Sequence, residues 1–383
     1  MRRIAPAWLE AAPTRALLAA LDPARPLFVG GCVRDALLGR EAQDVDLCVA
    51  VPPEETTRLL EGAGLGAAPT GIAHGTVTAI VEGRGYEVTT LRRDVETFGR
   101  RARVAFTDCV REDASRRDFT INALYADAEG CVIDPLDGAP DLEAGRVRFI
   151  GDPSARIGED HLRILRFFRF IAWFSRTGVD AEGLAACAAL ADRLGALARE
   201  RIGHELRRLL AAPDPSEAVA AMARAGALDA ALPGARPHLL AALIRAEAAC
   251  AAAPDWPRRL AALGATDPED AMRLSRAEAR RLRAIAEARA LDAAPEARAH
   301  LVAPEAARDA ALLDAAEGGA PPPADLEARL AAGAAARFPL EARDLIAAGV
   351  APGPDLGASL DRLRRLWAQE GFAPDRAALL ARL

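Results

Sequence analysis

The apolar positions of this chain fall into short strand-like runs up to about residue 150 and into helical spacing from Gly151 onward. Leu27-Phe28-Val29 reads as a buried strand, and Gly30-Gly31 breaks it. From Cys32 to Leu38 the apolar residues recur at helical spacing, with Gly39 as the stop signal. A second apolar segment, Val45 to Val51, reads as a strand entered through Asp44-Val45-Asp46. Strand period is two, so Asp44 and Asp46 project from one face and Val45 and Leu47 from the other. Residues 1–26 predict a short helix ending near Asp22-Pro23. Another runs from Pro52 to Leu60, opened by Pro52-Pro53 and Glu54-Glu55. Gly62 to Gly71 reads as loop. Val77 to Val81 and Tyr86 to Leu91 read as strands joined by a hairpin turn at Glu82 to Gly85.

The second half is alanine-rich, which makes its periodicity soft and its helix prediction firm. Arg199 to Leu210 and Arg276 to Arg289 are helices with basic components; Pro213-Asp214-Pro215, Pro233-Gly234 and Pro254 are breaks. Gly318 to Pro323 is the clearest linker. The last segment, Asp344 to Leu383, carries the arginine-rich run Leu360 to Arg365 and then Trp367. There is no repeat of 20–50 residues.

A length of 383 residues allows two to four domains, and 51% apolar residues supply a sizeable core. Asp and Glu outnumber the basic residues 55 to 49, all of the latter arginine, for a net charge of −6. Such a chain does not coat nucleic acid indiscriminately; an RNA binder of this composition must gather its positive charge on one surface. The 6 cysteines include no C-x-x-C pair, which suggests neither a disulfide framework nor a zinc site. His204-Glu205 lacks the second histidine a zinc helix needs. Without a secretory apolar region or an 18-residue apolar run, the expectation is a soluble cytoplasmic protein with no membrane contact.

Candidate chemistry sits on the first strand–turn–helix. Two like charges side by side, Asp44 and Asp46, are costly unless something cationic lies between them, and a divalent metal bridging to phosphate is the natural occupant. The Gly30-Gly31 turn lets a phosphate approach backbone N–H groups at a helix start. Arg34, one turn in, can reach the same anion. Turn, arginine and carboxylate pair together describe a nucleotidyl-transfer site.

Gly30-Gly31-Cys32-Val33-Arg34-Asp35 followed by Asp44-Val45-Asp46 resembles the first motif of the tRNA nucleotidyltransferase and poly(A) polymerase family, class II of the polymerase-β superfamily, with the CCA-adding enzymes the nearest branch. Arg116-Arg117-Asp118-Phe119-Thr120-Ile121-Asn122-Ala123 resembles the family's second motif. Cys131 to Asp141 resembles the third, read as architecture, and Ser154 to Phe167, with Glu159-Asp160-His161-Leu162-Arg163, resembles the fourth. Arg199 to Leu210 is similar to the fifth. Many relatives have proline where His161 stands.

The resemblance implies a two-metal transferase. Asp44 and Asp46, with Glu87 as candidate third carboxylate, would hold two Mg²⁺; the alternative for Glu87 is an edge-strand residue facing water. Gly30, Gly31, Arg34, Arg117 and Asn122 would cradle the triphosphate. Asp118 would orient the site, or serve only as a helix N-cap. Asp160 and Arg163, one turn apart on a helix, would select the base, with Arg166 a turn further and Glu159 in support. Cytosine and adenine each present an amino donor beside a ring-nitrogen acceptor, which a carboxylate and a guanidinium can pair; guanine and uracil present the mismatched pattern. The alternative is an ion-pair stripe with Glu159 and Arg163 as an i,i+4 pair. Val95 to Ala105 resembles the family's mobile loop, and His74-Gly75 a loop preceding a strand.

The implied activity is template-independent addition of CCA to the tRNA 3′ end from CTP and ATP. The alternatives are poly(A) synthesis, partial CC- or A-addition, and a catalytically silent RNA-binding module. The expected fold is a polymerase-β-like α/β head with a small mixed sheet and flanking helices (1–138), then an all-α neck (139–210), body (211–317) and tRNA-binding tail (318–383). Its partners would be the tRNA acceptor end, ATP and CTP, with no protein partner.

Overall fold

The structure, a computed structural model, describes residues 2–72, 75–98 and 101–383, which leaves His74 outside it. Contacts divide the chain into two units, residues 1–197 with 224–230, and residues 198–223 with 231–383. No helix among the described residues is long and apolar enough to cross a membrane.

Among the described residues, the first unit is built on nine strands: β1 (Leu27–Val29), β2 (Leu47–Val49), β3 (Gly66–Gly71), β4 (Thr76–Val81), β5 (Arg84–Thr90), β6 (Arg92–Phe98), β7 (Arg101–Phe106), β8 (Tyr125–Ala126) and β9 (Val132–Ile133). Seven form one mixed sheet in the order β3-β4-β5-β2-β1-β8-β9, and β6-β7 form a separate ribbon. Among the described residues only β2 and β5 pair in parallel, with Leu47 opposite Val88. The α/β head with a mixed sheet and flanking helices is thus present.

The predicted strands hold, with three corrections. The segment Gly62 to Gly71 is not all loop: β3 pairs with β4 along the sheet edge. Its small residues hide the alternation that marks a strand, and Pro69 is tolerated because an edge strand has N–H groups to spare. Gly66 and Gly71 lie so close to Ile80 and Thr76 that a Cβ there would approach to 3.1 and 3.2 Å. Next, Asp44-Val45-Asp46 stands ahead of β2 rather than inside it, although Val29 N still donates to Asp46 O at 3.0 Å, so pairing with β1 reaches back to Asp46. Finally, most of the predicted loop Val95 to Ala105 is β6-β7 ribbon, paired from Arg92↔Phe106 to Phe98↔Arg101. The β4-β5 turn uses Glu82 and Gly83 at φ 51° and 77°, the left-handed pair of a tight two-residue hairpin.

Helix Gly31–Leu37 follows β1 directly. Gly30 turns the chain at φ 75°, and its N–H is held by Leu124 O at 2.9 Å. The N-terminal helix is two pieces, Ala7–Glu10 and Ala12–Leu21. A larger correction falls at Asp160. Helix Pro153–Glu159 ends before it and helix Leu162–Phe174 begins after it, so Asp160 and Arg163 do not share a helix. Asp160 is extended (φ −154°, ψ 107°). Its Oδ1 accepts from Leu162 N at 3.1 Å and its carbonyl from Arg163 N at 3.0 Å. An aspartate that caps locally competes with continuing the helix. Phe119 of the second motif meets Phe149 and Phe170 at ring separations of 4.9 and 5.1 Å, which docks helix Leu162–Phe174 beside it.

The second unit is helical, and its first helix is Arg199–Leu210 as predicted, with His204 exposed and Glu205 buried. At its core Arg258 and Arg259 are buried against Glu247 and Asp309. Arg259 also donates to the Leu210, Ala212 and Pro213 carbonyls at the end of that helix. The basic helix, Arg276–Ala290, pairs Arg281 with Asp309 and Arg289 with Asp314. The terminal segment packs Trp367 with Leu340, Leu345, Leu363 and Leu379.

Candidate active site

Four predicted residues form one hydrogen-bonded chain beside the Gly30-Gly31 turn. Arg34 Nη1 donates to Asn122 Oδ1 at 2.6 Å. Asn122 Nδ2 donates to Asp118 Oδ1 at 3.0 Å, and Arg166 Nε to Asp118 Oδ2 at 2.6 Å. Arg34 is also held by Asp35 at 2.9 Å and lies over the Phe174 ring at 4.2 Å. Burial pushes the Asp118 carboxyl up, but Arg166 and the Asn122 hydrogen bond outweigh it and hold the group down at about 2. Asp118 caps locally as well, accepting from Phe119 N at 2.9 Å.

Arg117 belongs to a second cluster around Asp113, a buried carboxylate that the sequence reading passed over. Asp113 accepts from Arg117 Nη2 at 3.0 Å, Arg116 Nη2 at 2.7 Å and the Tyr125 hydroxyl at 2.7 Å. Two arginines three and four residues downstream, just past the end of the short helix Val110–Ser115, were its available signal. A Cβ built on Gly30 would stand 3.5 Å from Arg117 Nη1, and one on Gly31 3.7 Å from Arg34 Nη2. Both guanidiniums therefore crowd the glycine turn.

The carboxylates gather where the chain enters β2 and, through Glu87, on β5. The parallel register Leu47↔Val88 sets Asp46 beside Glu87 on the same face. Burial raises the Asp46 carboxyl to about 6, and the charges of Glu87 and Asp44 push the same way; Arg117 opposes them. Among the described residues no three such side chains already converge on a point where an ion would sit. The oxygen donor set and the uncompensated negative charge around Asp46 nevertheless suit a divalent cation.

Arg163 is spoken for in this structure. It pairs with Glu159, and it donates to Arg156 O at 2.9 Å and Arg116 O at 3.0 Å. The Glu159–Arg163 pair thus forms across the break at Asp160, and Asp160 itself caps Leu162.

Comparisons with known proteins cover the region that holds these residues. The poly A polymerase head domain matches residues 27–148, and a probable RNA- and SrmB-binding site of polymerase A matches residues 179–239. The CCA-adding enzyme of Levilactobacillus brevis is 42% identical over 192 residues, 50% of this chain and 47% of that protein. The mitochondrial CCA tRNA nucleotidyltransferase 1 of Homo sapiens is 41% identical over 186 residues, 48% of this chain and 43% of that protein. The chain spans about half the length of the curated relatives it matches. The crystal structure of the Bacillus stearothermophilus CCA-adding enzyme in complex with CTP matches with a TM-score of 0.72 at 26% identity, over 97% of this chain and 98% of that one. The glycine turn flanked by Arg34 and Arg117 and the carboxylate face at Asp46 and Glu87 all lie within residues 27–148, the part of the chain that matches the poly A polymerase head domain.

Proposed function

We propose that this protein adds CCA to the 3′ end of tRNA, using CTP and ATP and releasing pyrophosphate. The observation that carries the reading is the meeting of Arg117 with the Gly30 turn, next to a face holding Asp46 and Glu87. The names of the relatives and the CTP-bound neighbour support CCA addition over other outputs of the same site.

Gly30, Gly31, Arg34, Arg117 and Asn122 hold the triphosphate. Backbone N–H groups at the start of helix Gly31–Leu37 and two guanidiniums supply anion contacts there. Asp44, Asp46 and Glu87 would hold two Mg²⁺, which when bound supply Lewis acidity toward the attacking hydroxyl and the leaving pyrophosphate. Asp160 accepts from the base's amino group and Arg163 donates to its ring nitrogen. For this, the Arg163 bonds to Glu159 and the Arg116 carbonyl are exchanged for the base. Asp118 fixes Arg166 and Asn122, and Glu159 fixes Arg163. The head (1–138) carries the transfer chemistry and the neck (139–210) base selection. Body (211–317) and tail (318–383) grip the acceptor arm through its shape and phosphates. The location is the compartment that holds uncharged tRNA and nucleoside triphosphates, the cytoplasm.

The test is incorporation of labelled CTP and ATP, alone and together, into tRNA lacking its CCA end, with Mg²⁺. Two C residues followed by one A, and no more, is the expected result. Long A tracts from ATP alone would make it a poly(A) polymerase. CC or A alone would make it a partial adder. Binding of tRNA without any incorporation would sink the enzyme reading.

A further inference from the structure

Asp113 has no part in the chemistry described so far, yet it has one of the most completely occupied carboxylates in the head. It is 1% exposed. Oδ1 accepts from Arg116 Nε and Nη2 at 3.0 and 2.7 Å, and from the Arg92 backbone N–H at 3.3 Å. Oδ2 accepts from Arg117 Nε and Nη2 at 3.2 and 3.0 Å, and from the Tyr125 hydroxyl at 2.7 Å. Arg117 Nε also donates to that hydroxyl at 3.1 Å. The guanidinium of Arg117 is thus gripped along its Nε–Nη2 edge, and Nη1 is the nitrogen directed toward Gly30.

We propose that Asp113 is the positioning residue for Arg117: its carboxylate aims Nη1 at the Gly30-Gly31 turn, where the triphosphate of the incoming nucleotide lies. The proposal rests on the nucleotidyltransferase reading. One carboxylate facing two guanidiniums leaves the cluster with a net positive charge, so aiming Arg117 does not spend its attraction for phosphate. Tyr125 adds direction. It stands on β8, paired with Val29 at the end of β1, so the immediate neighbour of the strand that leads into the glycine turn carries the hydroxyl that orients the arginine. Arg116 supplies a second attachment. Its Nε also donates to Arg92 O at 3.0 Å, which fixes the carboxylate against the start of β6. A buried carboxylate with this many donors is costly to orphan, so it is kept where its arginines are needed.

The experiment measures CTP and CMP binding by calorimetry for the full-length protein and for Asp113→Asn, Tyr125→Phe, Arg117→Ala and Asp113→Asn/Arg117→Ala. The expected result for Asp113→Asn is about tenfold weaker CTP binding, because charge-assisted bonds to the phosphates are misaligned. CMP, which lacks the distal phosphates, should bind within about twofold of the unaltered protein. In the Arg117→Ala background the second substitution should add less than about twofold, because Asp113 acts through Arg117. A full additional loss there, or an equal loss for CMP, would overturn the proposal in favour of a purely structural role. If Asp113→Asn does not fold, Tyr125→Phe decides: about threefold weaker CTP binding supports the proposal and unchanged binding overturns it. CTP binding by the unaltered protein with no loss in either variant removes this proposal alone. No CTP binding by the unaltered protein removes the nucleotidyltransferase reading with it.

Discussion

Asp118 and Arg166, 48 residues apart, form an ion pair whose carboxylate side is nearly sealed from solvent: Arg166 Nη2 stands 2.5 Å and Nε 2.6 Å from Asp118 Oδ2. The pair ties the Arg116–Ala123 segment to helix Leu162–Phe174, where Arg163 also stands. Arg166→Met should cost about 2–4 kcal/mol, because it strands a buried carboxylate. Urea denaturation checks this, and Asp118→Asn/Arg166→Met should recover part of the loss. A double variant no more stable than Arg166→Met would mean that packing, not charge, carries the effect.

Acid should loosen the head through Asp113 and Asp118. Both carboxyls sit at about 2, against an ordinary value of 3.8: burial raises each, but Arg117 and Arg116 prevail at Asp113, and Arg166 and Asn122 at Asp118. Folded values below unfolded ones mean stabilisation that is complete above about pH 4 and lost as pH falls toward 2. Each contributes on the order of 2 kcal/mol. Stability measured between pH 5 and 2 should fall steeply, and Asp118→Asn should flatten the fall. An unchanged slope in that variant contradicts the assignment.

Asp46 predicts the opposite sign. Its carboxyl is raised to about 6 by burial and then by Glu87 and Asp44, so its ionised form works against folding at neutral pH. Asp46→Asn should therefore stabilise the metal-free protein by about 1–2 kcal/mol at pH 7. The same change should lower nucleotide incorporation by at least about a thousandfold and leave tRNA affinity within a few-fold. Thermal unfolding in chelator, labelled-nucleotide incorporation and a filter-binding assay read the three in turn; a destabilised variant would make Asp46 structural.

In the second unit, Arg259→Met should cost about 3–5 kcal/mol, since three carbonyls at the end of helix Arg199–Leu210 lose their donor and buried Glu247 loses one of its two arginines. Arg259→Lys should rescue little, because an ammonium cannot span that fork of acceptors. Full recovery with lysine would mean that a point charge suffices there.

The strand–turn–helix at Leu27 to Leu37 was legible because apolar runs, a Gly-Gly break and helical spacing all agree there. The side-chain partnerships were less so. Asp160 and Arg163 invite a single helix by spacing alone, and only the Asp160 side chain's bond to Leu162 N shows the break. The grip of Asp113 was only half legible: Arg116 and Arg117 stand three and four residues on, but Tyr125, twelve residues on and on strand β8, is needed to complete it. Edge strand β3 escaped notice because Gly66, Ala67 and Ala68 carry no alternation to read. The alanine-rich second unit offers helices in abundance and little to say which faces meet.

The buried cluster of Arg258, Arg259, Glu247 and Asp309 has both of its cations in guanidinium form, in a chain with no lysine at all. A guanidinium does not give up its proton at any pH a protein endures. The clasp therefore has a release on one side only: acid can undo it through Asp309, whose carboxyl is raised by burial, and alkali finds no proton to take. Reagents that modify primary amines will likewise find no side chain anywhere in the molecule to attack, and such labelling will leave these pairings intact.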